Sequence, residues 1–353
     1  DEDMPWLCFA YGRYLEEIGK LDQSRCFHEK GIRISQECGD LLSEALNKFG
    51  IGIALQRYDY VRDVKKAVLY LIEAAEFFEK KDSYQEANIL MNLGSCYDRL
   101  GYSDRAINAY EKCISLLKII ENNFDLSRAY YSQGIAYINN NQLESAEVSF
   151  NQGKYYCFRS KNLYFMSHIL YGTAWLEYRK KNFDKSHSLI EEAISSFNDY
   201  KENFLGNLQV SFYESEGNIY LLAGAINCKL EPIEKDRIDY YFDKAEFAYR
   251  QLDRNEKKIA LVLANRARLY KKLKKWGKSI ELLLKLFEKG KKIGNDSILS
   301  DASIHLLFIH WQKKASLVEW IAIIKRLGLR GCWYVSIGLS RRVFIFCMKR
   351  LNF

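Results

Sequence analysis

Residues 88–114 read NILMNLGSCYDRLGYSDRAINAYEKCI, and the pattern returns at 128–154 as RAYYSQGIAYINNNQLESAEVSFNQGK and at 168–194 as HILYGTAWLEYRKKNFDKSHSLIEEAI, a spacing of 40 residues. Gly94, Gly134 and Ala174 share one column, and Ala106, Ala146 and Ser186 a second. Tyr110, Phe150 and Ile190 fill a third, and Cys113, Gly153 and Ala193 a fourth. Small residues recur where two helices must approach closely, and a large apolar one recurs where a side chain must fill the gap between them. Between the halves of each copy stand Gly101, Asn140-Asn141 or Lys181-Asn182, residues that end helices. Each copy therefore reads as one helix–turn–helix unit.

The pattern in the first copy is an apolar residue, then Leu and a small residue, then Tyr, followed in the second helix by Ala and an aromatic. Leu90, Leu93, Gly94, Tyr97, Ala106 and Tyr110 supply it. In this it resembles the tetratricopeptide repeat (TPR) family, with Cys113 in place of the final Ala and a period longer than the family's usual one. Fainter copies extend the resemblance over roughly residues 6–325. Tyr11-Gly12, Ser24 and Gly31 fit a copy near 6–35, and Ala67 and Ala74 one near 44–80 with an extended turn at Arg57–Arg62. The strong copies span 84–118, 124–158 and 164–198. Gly217, Tyr220, Phe242 and Ala245 fit 207–250, with extra residues near Cys228–Ile233. Ala267, Tyr270, Ser279, Leu283 and Leu286 fit 257–290, and 297–325 is an eighth copy without the small residues. The resemblance implies an all-α, right-handed α-solenoid of about eight helix pairs over residues 1–325, stabilised by neighbour interfaces because one repeat cannot bury its own apolar face. Residues 326–353 break the pattern: Trp333–Gly338 is strand-like, and Arg341, Arg342, Lys349 and Arg350 make the stretch basic. An end cap is the first reading, a docking or inserted tail the second, and a poorly ordered or non-native extension the third.

Composition agrees with long helices. The chain has 353 residues with only two prolines, Pro5 and Pro232, and proline is excluded mainly where backbone N–H groups are needed. A hydrophobic share of 48% with 28% charged residues excludes whole-chain disorder. No stretch approaches the length of a membrane span, and Val343–Met348 is far too short. The opening DEDMPW is acidic and lacks an initiating Met, so the expectation is a trimmed chain or a fragment preceded by a further domain. Nine cysteines without a C-x-x-C read as thiols of a reducing compartment, which points to the cytoplasm. Asn295-Asp296-Ser297 is a lone sequon of the kind chance supplies.

Signatures of catalysis and metal binding fail one by one. Gly277-Lys278-Ser279 resembles the end of a phosphate-binding loop, but Lys272 stands where that motif needs its first Gly. There is no H-E-x-x-H, G-x-S-x-G or G-x-G-x-x-G. His305 and His310 are five apart and do not share a helix face, whereas Asp301 stands four before His305 and suits a surface pair. No enzyme activity, cofactor or metal site is expected.

Two features rise above a solvated helical surface. Residues 1–226 hold 25 Lys+Arg and 32 Asp+Glu, whereas residues 227–353 hold 28 and 13. The basic density peaks from Arg254 to Lys292, where Lys271, Lys272, Lys274, Lys275 and Lys278 crowd one turn. Such a potential attracts acidic proteins, the chain's own acidic half in another copy, anionic membranes or nucleic acid, although a solvated, lysine-rich surface that aids solubility is the first reading. Lysine runs without interleaved aromatics suit base stacking poorly, so among partners an acidic one comes before nucleic acid. The second feature is the inner groove that the resemblance implies, lined by the first helix of each pair. The 40-residue register places Tyr131, His168, Tyr171, Trp175 and Tyr178 there, with Arg13, Arg128, Asn218, Asn265 and Arg268 alongside. Tyr171, Trp175 and Tyr178 form one helical stripe of rings, the side chains that most often anchor binding surfaces, although the same stripe could be inter-repeat core. No consecutive trio of repeats supplies the carboxylate clamp of chaperone-binding members. The functional expectation is a non-catalytic protein- or peptide-binding scaffold or sensor. The alternative is the sensor arm of a larger signalling or defence protein whose effector, NTPase or DNA-binding domain lies upstream.

Overall fold

A residue with positive φ closes turn after turn along the chain: Gly19, Gly39, Lys80, Gly101, Glu121, Asn141, Lys161, Lys181 and Lys274. At such a residue the backbone leaves the helix, and the next amide reaches back five residues to an orphan carbonyl, as Tyr102 N does to Tyr97 O at 2.8 Å and Gln142 N to Tyr137 O at 2.8 Å. Four of the helices between these stops begin in the same way. Asp40, Asp82, Asn122 and Asn162 each cap the first helix of a pair by accepting from a backbone N–H one to three residues into it. Second helices begin after Lys20, Tyr102 and Gln142 without a side-chain cap.

The structure is a computed structural model that describes residues 4–57, 61–203, 210–252, 255–293, 296–312 and 319. Among these the chain is all helix, α1 to α15, and forms two compact units. The first unit, Asp1–Ile233 with Gln251–Arg254, holds α1 (Pro5–Glu17), α2 (Leu21–Cys38), α3 (Leu41–Gln56), α4 (Val61–Phe78), α5 (Ser83–Arg99), α6 (Ser103–Ile119), α7 (Asn123–Asn139), α8 (Leu143–Ser160), α9 (Leu163–Arg179), α10 (Phe183–Asn203) and α11 (Val210–Asn227). Neighbours in sequence pack as hairpins, and the first helices α1, α3, α5, α7, α9 and α11 also touch one another in series. They thus form a continuous layer. The second unit, Glu234–Arg250 with Asn255–Phe353, holds α12 (Lys235–Arg250), α13 (Glu256–Lys272), α14 (Trp276–Ile293) and α15 (Asp296–Gln312). Its core joins Ala260, Ala264 and Ala267 of α13 to Leu283, Leu286 and Phe287 of α14 and Ala302 and Leu306 of α15.

The aligned columns explain the pair geometry. A Cβ at Gly94 would lie 2.6 Å from the Tyr110 ring, and one at Gly134 would lie 2.6 Å from Phe150. Phe150 also sits under Gly172 of the next pair, again at 2.6 Å, so one ring of α8 fills the space against α7 and α9. With Phe150 only 2% exposed, that ring contributes roughly 2–3 kcal/mol. Where the column carries serine, its hydroxyl takes the place of close apolar contact: Ser186 donates to Ala174 O at 2.7 Å, and Ser279 to Ala267 O at 2.8 Å. Ser279 is therefore a packing residue, as its column indicated.

The repeat expected at 207–250 spans α11 and α12, which belong to different units. The one expected at 297–325 is described only as far as α15 and Glu319. The tail 326–353, Arg254 and Asn295 of the sequon lie outside the described residues. Cys8, Cys26, Cys38, Cys96, Cys113, Cys157 and Cys228 are free thiols. No helix among the described residues is long and apolar enough to cross a membrane.

Candidate functional site

Three first helices of the first unit, α7, α9 and α11, bring the sequence-selected rings together. Tyr131 of α7 lies edge-on to His168 and Phe165 of α9, with ring centroids 6.0 and 5.6 Å apart. His168 stacks on Phe165 at 5.0 Å and meets Tyr164 edge-on at 4.9 Å. Its Nε2 donates to Ser215 Oγ of α11 at 2.8 Å, because the Ser215 hydroxyl is itself spent on Ser211 O at 2.9 Å. That bond places a proton on Nε2, and the lowered pKa leaves the ring neutral near pH 7. Burial holds its pKa down at about 4, with a smaller push from Arg128. Tyr171 is pushed up to about 12 by burial and by the Glu214 carboxylate of α11, and burial raises Tyr131 as well. Tyr131 and Trp175 are both half-buried and pack on the same core of Ile138, Ala146, Phe150 and Leu176.

The remaining selected residues are placed differently. Tyr178 turns toward the start of α10, where it meets Phe183 edge-on at 5.7 Å. Asn218 is half-buried on α11. Arg128 pairs with Asp125 at 2.8 Å beside the Phe124 ring. Arg13 pairs with Glu16. In the second unit Asn265 donates to Leu261 O, and Arg268 pairs with Asp301 at 3.1 Å. The expected Asp301–His305 pair is formed at 3.4 Å. Of the basic patch, Lys271 lies inward: its Nζ is 4.7 Å from the Phe308 ring centroid and 3.3 Å from His305 Nδ1, and burial lowers its pKa. Lys278 lies over Tyr270, and Lys272, Lys274 and Lys275 are exposed. No three His, Cys, Asp or Glu side chains among the described residues converge on a metal position.

The sequence reading passed over Tyr164, Phe212, Tyr200 and Ser215. Tyr164 stacks on the buried Phe212 at 4.7 Å and lies 4.8 Å from Tyr200, so the aromatic cluster continues onto α10 and α11. The spacing of Tyr164, His168 and Tyr171 at i, i+4 and i+7 carried that signal on α9; the α10 and α11 partners lie outside the aligned register.

The protonation of His168 is testable. Above an unfolded pKa of 6.5 the residue is neutral in both states and costs nothing; as pH falls toward about 4 the unfolded chain takes a proton that the folded one refuses. Stability should therefore drop through that window by up to about 2–3 kcal/mol from this residue. His168→Phe should flatten the difference in melting temperature between pH 7 and pH 4.5. A variant that tracks the parent at both pH values would contradict a neutral imidazole held by its surroundings at this position.

The helix pairs, their shared columns and the layer of first helices define a tetratricopeptide-type α-solenoid. The tetratricopeptide repeat family matches residues 87–116, the pair of α5 and α6. Solved structures extend the likeness over most of the chain. The apo form of RapI is 14% identical with a TM-score of 0.63, covering 82% of this chain and 98% of its own. The apo form of the quorum sensor NprR from B. thuringiensis is 15% identical with a TM-score of 0.63, covering 92% and 87%; NprR with its cognate peptide NprX gives 15% and 0.55, covering 75% and 72%. Aspartyl phosphate phosphatase F from Bacillus subtilis is 16% identical with a TM-score of 0.59, covering 81% and 70%. The chain thus has the fold of these bacterial TPR regulators. No curated protein sequence matches it.

Proposed function

We propose that the chain is a non-catalytic, cytoplasmic peptide- or protein-binding sensor whose binding surface is the layer of first helices in the first unit. The observation that carries this reading is the surface of Tyr131, His168, Tyr171 and Trp175, half-buried side chains on two touching first helices, with Ser215, Glu214 and Asn218 supplied by the third. Rings fixed by packing on one side lose little entropy when the other side is covered, and the hydroxyls and the Glu214 carboxylate set register. That a neighbour of the same fold is a quorum sensor with a cognate peptide makes a short peptide the favoured ligand.

The test uses a displayed library of short peptides selected on the purified chain. Trp175→Ala should weaken the selected peptides by about 2 kcal/mol or more, roughly thirtyfold, with a melting temperature close to the parent's. A melt many degrees lower would assign Trp175 to the core, because loss of a buried ring costs about 3–5 kcal/mol. Unchanged binding in a variant that melts with the parent would remove the surface from the proposal.

A further inference from the structure

The second unit contains a cleft that the sequence reading did not single out. It lies between the second helices α12 and α14, over α13, and has a volume of about 450 Å³. Ile259 and Leu263 of α13 and Leu282 of α14 give it apolar walls. Arg250, Arg266, Lys285 and Lys289 stand around it against a single carboxylate, Glu246. The matching cleft between α6 and α8 in the first unit is lined by Asp104, Glu111, Ile107, Asn108, Tyr137, Gln142 and Ser145, with no cation. A cationic rim is therefore not a by-product of this kind of helix packing.

The four cations are not equivalent. Arg250 is held by Glu246 at 2.5 Å. Arg266 is held by Asp243 at 2.6 Å and approaches Glu246 at 3.6 Å, and its buried Nε–H has no acceptor among the described residues. Lys285 pairs with Glu281, an exposed partner at 2.6 Å, and such a pair is worth little in water. Lys289 is half-buried and makes no ion pair or hydrogen bond among the described residues. Lys285 and Lys289 are one helical turn apart on the same wall as Leu282, so two ammonium groups and a leucine form a stripe along α14.

We propose that this cleft binds an acidic peptide segment in which carboxylate side chains are interspersed with apolar ones. The charge of the rim selects carboxylates. Both arginine forks are engaged with protein carboxylates, which leaves lysine point charges and disfavours a bare phosphate, whose tight recognition uses a bidentate fork or a cradle of backbone amides. The walls of Ile259, Leu263 and Leu282 take the apolar side chains between the charges. Binding at Lys289 requires no existing partner to be displaced, and the acidic ligand can exchange with Glu281 at Lys285. This site and its ligand are independent of the α7–α9–α11 surface.

The experiment uses the full chain and a short fluorescein-labelled peptide of alternating Glu and Leu, followed by anisotropy at low and moderate salt. Binding should weaken with salt, and Lys289→Glu should reduce affinity about tenfold or more with an unchanged melt, with Lys289→Gln giving a smaller loss. Triple reversal of Lys272, Lys274 and Lys275 should leave most of the affinity intact. Three results would overturn the proposal: equal binding of oligoglutamate without leucine, competition by inorganic phosphate at comparable concentration, or loss of binding in the Lys272/Lys274/Lys275 variant with none in Lys289→Glu.

Discussion

Gly134→Leu should unfold the centre of the first unit. The added Cβ alone would meet the Phe150 ring at 2.6 Å, and three more carbons would have to enter a space that the ring already fills. The ring cannot yield easily, because its other side lies under Gly172 at the same distance and the residue is 2% exposed. Overpacking of a relaxed core costs about 1–3 kcal/mol, and a site clamped from two helix pairs belongs at or above the top of that range. Calorimetry of the purified variant should show a fall in midpoint of many degrees, or no cooperative transition. A companion variant separates sterics from backbone entropy: Gly134→Leu with Phe150→Ala removes the obstruction and should recover part of the loss. If the single variant melts with the parent, the alignment of Gly94, Gly134 and Ala174 as contact positions is wrong.

His28→Leu should also be destabilising, through a different mechanism. His28 is fully buried between Gly12 and Gly50, whose Cβ positions would fall 2.5 and 2.2 Å from its ring. Its Nε2 faces Glu16 Oε1 at 3.2 Å, and its Nδ1 faces Asn47 Oδ1 at 3.2 Å. The Asn47 amide is fixed in that orientation because Nδ2 donates to Pro5 O at 3.0 Å and Ser43 O at 2.8 Å. Glu16, 1% exposed, also accepts from Ser24 and Arg13. Leucine is close to histidine in bulk, so the cost is not a cavity: it is the loss of a hydrogen-bond partner by the buried Glu16 carboxylate and by Asn47 Oδ1, about 1–3 kcal/mol, with Arg13 and Ser24 still on Glu16. Replacing both partners, Glu16→Met with His28→Leu, should cost less than His28→Leu alone, since an apolar pair leaves no buried carboxylate. A double-mutant cycle with zero coupling would show that this network does not act as a unit.

The legible part of the fold was the part set by local periodicity. Columns 40 residues apart named the contact glycines, the ring that fills each gap and the turns at Gly101, Asn141 and Lys181, because close approach, gap filling and a left-handed turn each demand a particular kind of residue. The caps Asp82, Asn122 and Asn162 follow the same 40-residue step and were equally available to the sequence, yet a single polar residue before a helix is too common to stand out. The candidate surface was legible only on α7 and α9, where Tyr131, His168, Tyr171 and Trp175 fall in register. Tyr200 near the end of α10 and Ser215 of α11, which complete it, fall outside the aligned columns.

The sequence by itself therefore determined the class of element, the helix-pair unit and the surplus of cations beyond residue 226, since each depends on spacing or sum along one chain. Only the tertiary structure decided what each polar group faces. It set Lys271 inward on Phe308 and left Lys289 at a cleft, joined His28 to Glu16 and Asn47, and aimed His168 at Ser215. The physical reason is range: apolar periodicity is read within one or two helical turns, whereas hydrogen-bond and charge partners here lie 12 to 47 residues away, for His28 with Glu16 and for His168 with Ser215. No local pattern encodes a partner at such separations until helix packing has brought the two together.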